Sequence, residues 1–154
     1  MAAIVLDVNL LVRAILVPGC NSAKILDLAR SGRVTLLISE EIIEEARRVL
    51  TYPRVAEGLS LSRAELEDFL TQLRDFARYV RPSGPLEAVS GDPSGDKYLE
   101  CAASGQADFI VTRDRMLLAM GRYQAIPIVS PADFLADEPG QPLIPPAPIP
   151  LVSS

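Results

Sequence analysis

Apolar residues occur along this chain in short runs separated by longer amphipathic segments, a pattern that predicts strands alternating with helices. The predicted strands are the apolar runs at about Ala3 to Val8, Val34 to Ile38, Phe109 to Thr112 and Ile126 to Val129, with a short strand beginning near Val80. Pro127 lies inside the last run and predicts a sheet edge, because proline cannot donate a ladder hydrogen bond. The alternation predicts an α/β fold with a mainly parallel sheet and helices on both faces.

Helix boundaries are marked by residues that satisfy free backbone groups. The spacing predicts a turn or short helix at Leu10 to Val17, and helices at about Ala23 to Arg30, Glu40 to Leu50, Ser62 to Tyr79, Asp96 to Ser104, Arg115 to Met120 and from Pro131 onward. Asn21 or Ser22 is the expected cap of the helix at Ala23, and Gly32 its left-handed stop. Ser62 and Glu65 have the spacing of a capping box.

Proline marks a change of composition toward the end of the chain. From Glu138 onward prolines follow in quick succession, so neither a helix nor a central strand can form there. A chain of 154 residues is long enough for one domain with a sizeable core. We therefore expect one α/β domain over residues 1–137 and an extended, proline-rich tail over residues 138–154.

Histidine is absent from the sequence, which excludes several kinds of site. Ser-His-Asp and Cys-His catalysis, histidine-based ribonuclease chemistry and the usual histidine-ligated zinc sites all require it. Hydrolysis would have to rely on carboxylates, hydroxyls, lysine, arginine or a hard metal ion such as Mg²⁺ or Mn²⁺. The net charge of −5 argues against broad, non-specific nucleic-acid binding, but clustered acids contribute to it and a nuclease is not excluded.

The sequence contains no recognisable targeting or membrane-spanning segment. No apolar run approaches the ~20 residues that span a bilayer, and the N-terminus enters a strand pattern without the features of a signal peptide. Cys20 and Cys101 are too few for a disulfide framework, and Cys101 and Tyr98 are expected to be core residues. We therefore expect a cytoplasmic protein.

Two carboxylates follow predicted strands: Asp7 follows the first apolar run, and Asp114 comes just after Thr112. In an open parallel sheet the ligand site lies at the carboxyl ends of the strands, where the strand order changes direction. A carboxylate there is poorly solvated and has to be offset by a cation or by hydrogen bonds. Either residue can equally cap the following helix, and for Asp114 alone that is the simpler interpretation.

Two further acids lie on predicted helices. Glu45 is one turn from Ile42 and Val49, at the margin of a buried arc, and Asp96 lies in the first turn of its helix. Taken alone, Glu45 is most simply an exposed side chain, and Asp96 a favourable partner of the helix dipole. Four acids from distant parts of the chain together favour a divalent-metal site and a metal-dependent nuclease. Near them in sequence are four candidates for phosphate contact, or simply solvated surface cations: Arg13, Lys97, Arg113 and Arg115.

Four motifs occur in order along the chain: Asp7-Val8-Asn9, Ser39 to Glu45, Asp92 to Leu99, and Ala107 to Asp114. Together they resemble the PIN-domain family, in particular the toxins of toxin–antitoxin pairs, over about Ala3 to Leu135. The resemblance implies that the catalytic and metal-binding acids are Asp7, Glu45, Asp96 and Asp114. It also implies that Asn9 and Thr112 support them.

The resemblance further implies a three-layer α/β/α sandwich, Mg²⁺- or Mn²⁺-dependent cleavage of RNA, frequent homodimerisation and inhibition by a cognate antitoxin. The chain departs from the family pattern in two places. Ser94-Gly95 stands where many relatives have an acid-rich run, and Val8 replaces a frequent threonine. Neither departure removes one of the four acids.

Two other interpretations remain open at this stage. A haloacid-dehalogenase-type phosphatase also uses an aspartate after a first strand, but typically in an Asp-x-Asp arrangement, whereas the second position here is Asn9. A catalytically degenerate fold would serve as an RNA-binding or protein-interaction module, which Ser94-Gly95 and the acidic net charge permit. Metal-dependent turnover separates the nuclease from this module.

Overall fold

The computed structural model describes residues 2–59, 62–82 and 93–137. The strands are β1 (Ala3–Leu6), β2 (Thr35–Ile38), β3 (Arg78–Tyr79), β4 (Phe109–Val111), β5 (Arg122–Tyr123) and β6 (Ile126–Val129). The helices are α1 (Val8–Leu16), α2 (Asn21–Arg30), α3 (Glu40–Leu50), α4 (Pro53–Leu59), α5 (Arg63–Phe76), α6 (Pro93–Gly105), α7 (Arg115–Met120) and α8 (Pro131–Asp137). The predicted extended tail at 138–154 lies outside the described residues.

The strands of the described ranges form one mainly parallel sheet in the order β3-β2-β1-β4-β6-β5, in which β5 runs antiparallel to β6 and the other pairs are parallel. Its register pairs Ile4 with Leu36 of β2 and with Phe109 of β4. The chain leaves β1 toward β2 but leaves β4 toward β6, so the winding reverses between β1 and β4. Because parallel crossovers are right-handed, this reversal places helices on both faces, which confirms the predicted three-layer α/β/α sandwich.

The core explains why the central strands read as continuous apolar runs. Ile4, Val5 and Ile110 are buried, and α6 packs against β1, β2 and β4. Strands covered by helices on both faces need apolar residues at successive positions. Cys101 of α6 belongs to this core, as predicted, and burial raises the pKa of its thiol to about 12. None of the helices in the described ranges is long and apolar enough to cross a membrane.

Several helix ends follow the predicted chemistry. The capping box is present at α5, where Ser62 Oγ accepts the Glu65 N–H (3.1 Å) and Glu65 Oε1 accepts the Ser62 N–H (2.8 Å). Gly32 has φ of +81° and ends α2 in the left-handed conformation, as predicted. The helix predicted to reach Tyr79 ends earlier, at Phe76, because Arg78–Tyr79 pairs with β2 as β3.

The prediction of a sheet edge at Pro127 is wrong. β6 is paired on both sides, with β4 and with β5, a strand that the hydrophobic pattern did not predict. Proline is tolerated here because β5 is only two residues long. The hydrogen bond to the Gly121 carbonyl comes from the N–H of Ile128 (3.0 Å), the residue after Pro127.

The predicted cap of α2 is also wrong. The helix begins at Asn21, and its N-cap is Cys20, whose side chain makes no capping hydrogen bond. Gly19, with φ of +83°, turns the chain immediately before this position and places Cys20 at the cap. The unpredicted helix α4 begins at Pro53, since proline suits the first position of a helix although it ends the one before.

Gly105 ends α6 at a point of close packing. A Cβ at this position would lie 2.8 Å from Val80 Cγ2 and 2.9 Å from Leu37 Cδ1, closer than van der Waals contact allows. The left-handed residue after the helix is Gln106 (φ +57°) rather than Gly105. Glycine is therefore required here for space and not for its backbone freedom.

We expect Gly105→Ala to lower the free energy of unfolding by about 1–3 kcal/mol, the usual cost of overpacking a core, as measured by urea denaturation. Gly58→Ala in α4 is the matched control, since its Cβ would lie at an ordinary 3.5 Å from Leu16 Cδ2. Because alanine favours helix, this control should leave stability unchanged or raise it. Equal destabilisation by both substitutions would contradict the packing explanation.

Candidate functional site

Asp7 lies at the carboxyl end of β1, beside the reversal of winding between β1 and β4. It is only 5% exposed. Its Oδ1 accepts the N–H of Asn9 (2.9 Å), and its Oδ2 accepts the hydroxyl of Thr112 (2.8 Å). No ion pair in the described part of the chain involves Asp7. Asp7 is thus a buried side chain whose carboxylate oxygens accept hydrogen bonds and contact no cation of the described residues.

Thr112 connects Asp7 to Asp114. Its fully buried hydroxyl donates to Asp7 and accepts the backbone N–H of Asp114 at 3.0 Å. Asp114 Oδ1 in turn accepts the N–H groups of Met116 (2.8 Å) and Leu117 (3.3 Å), so this carboxylate caps α7. The cap interpretation is therefore correct for Asp114, and it is correct for Asp7 at α1. One oxygen of Asp114, Oδ2, makes no hydrogen bond within the described residues.

The position of the Thr112 hydroxyl leads to a stability prediction. Thr112→Val keeps the shape of the side chain but leaves Asp7 Oδ2 without its donor and the Asp114 N–H without its acceptor. We expect the free energy of unfolding to fall by about 1–3 kcal/mol, the cost of unsatisfied buried polar groups. Urea denaturation of the wild type, Thr112→Val and Thr112→Ser measures this effect, and Thr112→Ser is the control because it retains the hydroxyl. A Thr112→Ser loss as large as that of Thr112→Val would show that the methyl group matters instead.

A cavity of about 490 Å³ opens beside the two aspartates. Its charged and amide-bearing lining consists of Asp7, Asn9 and Asp114, together with Arg13 and Arg113. We call it the acid cavity. It brings together three of the predicted site residues and two of the cations predicted to contact phosphate. Neither Glu45 nor Asp96 lines it.

Glu45 lies at the edge of the buried face of α3, as its spacing predicts, whereas Glu40 and Glu44 are exposed. Its side chain is 22% exposed and forms ion pairs with Arg48 and with Lys97, whose Nζ lies 3.9 Å from Glu45 Oε1. Lys97 is itself only 14% exposed at its side chain. The charge of Glu45 is therefore compensated by protein cations, and Lys97, predicted as a phosphate contact, faces a carboxylate.

Tyr98 lies within electrostatic reach of both Glu45 and Asp7. It is buried, and its hydroxyl accepts the N–H of Val8 at 3.2 Å. Burial raises the pKa of Tyr98 well above its ordinary value, and the negative charges of Asp7 and Glu45 raise it further. The phenol therefore stays protonated within electrostatic reach of both acids. The sequence predicts a core residue at this position, but offers no signal that its hydroxyl bonds to the Val8 N–H, next to Asp7.

Asp96 lies half-buried in the first turn of α6, as predicted. This turn packs against α7, since a Cβ on Gly95 would lie 3.2 Å from Leu117 Cδ2. The start of α6 is therefore adjacent to the helix that Asp114 caps. Across 2–59, 62–82 and 93–137, however, no three acidic or cysteine side chains form a group that could hold a metal ion. The four-acid metal cluster stays a prediction, of which Asp7 and Asp114 share one cavity.

Comparison with known proteins identifies the family. A family model described as PIN domain matches residues 3–116. The chain belongs to the PIN-domain family. PIN domains are nuclease-type folds and typically use divalent metal ions. Matching solved structures include the PIN domain of human SMG5, with 16% sequence identity, a TM-score of 0.45, and coverage of 86% of this chain and 95% of that chain. A comparison with curated proteins gives no significant match.

Proposed function

We propose that this PIN domain is a metal-dependent ribonuclease that hydrolyses RNA phosphodiester bonds at a site centred on Asp7 and Asp114. The observation that supports this best is the buried Asp7 carboxylate, which shares the acid cavity with Asp114 and has no ion-pair partner among the described residues. A charge with so little solvent contact favours a bound cation. Oxygen ligands select hard ions, which points to Mg²⁺ or Mn²⁺.

The carboxylates of Asp7 and Asp114 fit such an ion and would hold it, with the Asn9 amide at the same cavity. When bound, the ion would supply activated water at neutral pH and offset the charge that develops on the phosphate. Thr112 fixes the Asp7 carboxylate and ties it to the Asp114 backbone, so the two acids keep their orientation. Arg113, which lines the cavity, would bind a phosphate oxygen of the RNA.

Glu45 and Asp96 complete the proposed set of four catalytic acids. Asp96, beside the start of α7, is the proposed third metal ligand. Glu45 is held by Lys97 and Arg48, so its proposed role is to position the ion or a water molecule. Following the motif resemblance, we further propose that the protein is a cytoplasmic, homodimeric toxin with a cognate antitoxin. Size-exclusion chromatography with light scattering tests the dimer.

Cleavage of a panel of structured RNAs tests the activity. We expect the wild-type protein to cut RNA in Mg²⁺ or Mn²⁺ and to lose this activity in EDTA. Asp108→Asn is the control, because Asp108 lies at the opposite, amino edge of the sheet, where its Oδ2 accepts the Ala3 N–H (2.8 Å). This variant should cut at the wild-type rate. Cleavage that persists in EDTA would contradict a metal-dependent reaction.

A second candidate function is a degenerate PIN module that binds RNA or protein without turnover. The ion pairs of Glu45 favour it, because they leave that carboxylate neutralised without a metal. The missing three-acid group in the described part of the chain favours it as well. An absence of both cleavage and Mn²⁺ binding would support this second function.

A further inference from the structure

A second cavity, of about 520 Å³, adjoins the acid cavity, and its charged lining in the described part of the chain is entirely cationic. Arg13 and Arg113 line both cavities. Lys24 adds a third cation to the second cavity, and no acidic residue of the described ranges lines it. We call it the basic cavity, defined by Arg13, Ser22, Lys24 and Arg113.

The cations of the basic cavity are not neutralised by carboxylates of the described chain. Arg13, Lys24 and Arg113 are exposed, and none of them forms an ion pair within 2–59, 62–82 and 93–137. Arg47, by contrast, pairs with two glutamates elsewhere on the surface. Positive charges gathered around a concavity without acids attract anions, and low-dielectric walls strengthen the field.

The first turn of α2 contributes donors to the same cavity. Its N-cap, Cys20, makes no side-chain capping bond, and its thiol donates instead to the Arg13 carbonyl oxygen (3.7 Å). The first helical N–H with an intrahelical partner is that of Lys24, which bonds to the Cys20 carbonyl (3.0 Å). The amides before it are oriented toward the helix start, where the helix dipole favours an anion.

Ser22 supplies independent support for a bound ligand. It is 2% exposed, it lines the basic cavity, and its hydroxyl has no hydrogen-bond partner among the described residues. Buried hydroxyls normally have a partner, because leaving one unpaired costs free energy. An oxygen atom of an anion in the cavity would complete this bond.

We propose that the basic cavity binds a backbone phosphate of the RNA strand, next to the phosphodiester held at Asp7 and Asp114. This inference rests on the proposed ribonuclease function and names how its substrate is held. The shared arginines make the two cavities neighbours, so one strand of repeating phosphates can occupy both. Contacts to phosphate position a nucleic acid without reading its sequence, so the basic cavity sets the register of the strand.

RNA binding in EDTA tests the inference without requiring metal or cleavage. We would measure fluorescence anisotropy of a short labelled RNA over a range of salt, for the wild type, Lys24→Ala, Ser22→Ala and Arg33→Ala. Lys24 lines the basic cavity but not the acid cavity, so Lys24→Ala leaves the lining of the acid cavity unchanged. Arg33 is the matched control, since it is exposed, lies beyond the opposite end of α2, and forms no ion pair within the described ranges.

Lys24→Ala should weaken binding several-fold and reduce the slope of log K against log salt by about 0.7, the contribution of one phosphate contact on a single strand. Ser22→Ala should weaken binding without changing the slope, because it removes a neutral donor. Arg33→Ala should match the wild type. Equal binding by the wild type and Lys24→Ala, no RNA binding by the wild type, or equal losses for Lys24→Ala and Arg33→Ala would overturn the inference.

A polyglutamate competitor separates RNA from an acidic protein segment. At equal concentrations of negative charge, unlabelled RNA should displace the labelled RNA and polyglutamate should not. Equal displacement by the two competitors would overturn the phosphate assignment.

Cleavage assays keep the two proposals distinguishable. Weaker binding by Lys24→Ala in a protein that never cuts RNA would reject the proposed function alone. Cutting by the wild type with unchanged Lys24→Ala binding would reject the basic-cavity inference alone.

Discussion

Asp7→Asn is expected to reduce metal-dependent RNA cleavage by about 10³-fold, the upper range for removing one electrostatic contact from an active site. Asparagine has nearly the shape of aspartate but lacks its charge, so the proposed ion loses its most buried ligand. Its Oδ1 can still accept the Asn9 N–H, and its amide can face the Thr112 hydroxyl, which is able to accept as well as donate. Initial cleavage rates in Mn²⁺ on one RNA substrate measure the effect.

Thermal unfolding separates this loss of chemistry from a loss of fold. In EDTA, Asp7→Asn should have a Tm close to that of the wild type. The neutral amide removes a buried charge that contacts no cation of the described residues, and this gain offsets the loss of the acceptor of the Thr112 hydroxyl. Mn²⁺ should raise the Tm of the wild type and of Asp108→Asn, but not that of Asp7→Asn. A folded Asp7→Asn variant that cuts RNA at the wild-type rate would show that Asp7 serves only as a cap.

Asp114→Asn and Asp114→Ala are expected to lower the RNA cleavage rate to a similar extent but to differ in their free energies of unfolding. Asparagine caps a helix about as well as aspartate, whereas an alanine at the N-cap lowers the free energy of unfolding by about 0.5–2 kcal/mol. Both remove the charge that Asp114 presents to the acid cavity, so both should lower the cleavage rate by about 10²-fold or more. Urea denaturation and cleavage rates of the two variants test this together. Wild-type cutting by Asp114→Asn would mean that capping α7 is the whole role of this carboxylate.

The sequence predicts the fold and the proximity of Asp7 and Asp114 because both depend on local pattern. Apolar runs followed by a carboxylate mark the carboxyl ends of β1 and β4, and the parallel sheet brings those ends together. The resemblance implies a supporting role for Thr112, and its hydroxyl bonds to the Asp7 carboxylate and to the Asp114 backbone N–H. These features depend only on the pairing of apolar strands, which the sequence pattern predicts.

The remaining features arise from contacts between segments distant in sequence. The pairing of Glu45 with Lys97 joins α3 to α6, and a helical pattern shows which face of each is apolar but not how the two meet. The contact of the Tyr98 hydroxyl with the Val8 N–H, next to Asp7, joins distant segments in the same way. The short strand β5 exists because it completes the ladder of β6, since a two-residue strand has no periodicity to recognise.

The net charge of the chain does not show how its charged residues are distributed over the surface. The chain carries −5 overall, which argues against broad nucleic-acid binding. The fold nevertheless gathers Arg13, Lys24 and Arg113 around one cavity that no described acidic residue lines, directly beside the cavity of Asp7 and Asp114. A local arrangement of this kind can bind a phosphate chain despite an acidic total, because screening in salt confines the influence of distant charges.

Mn²⁺ binding measured by isothermal titration calorimetry, in the absence of RNA, tests most directly whether the Asp7 carboxylate is part of a metal site. We predict that the wild type and Asp108→Asn bind Mn²⁺, and that Asp7→Asn binds it at least about 10-fold more weakly. Equal Mn²⁺ affinity in the wild type and Asp7→Asn, or no binding by the wild type, would contradict a metal-dependent nuclease centred on Asp7.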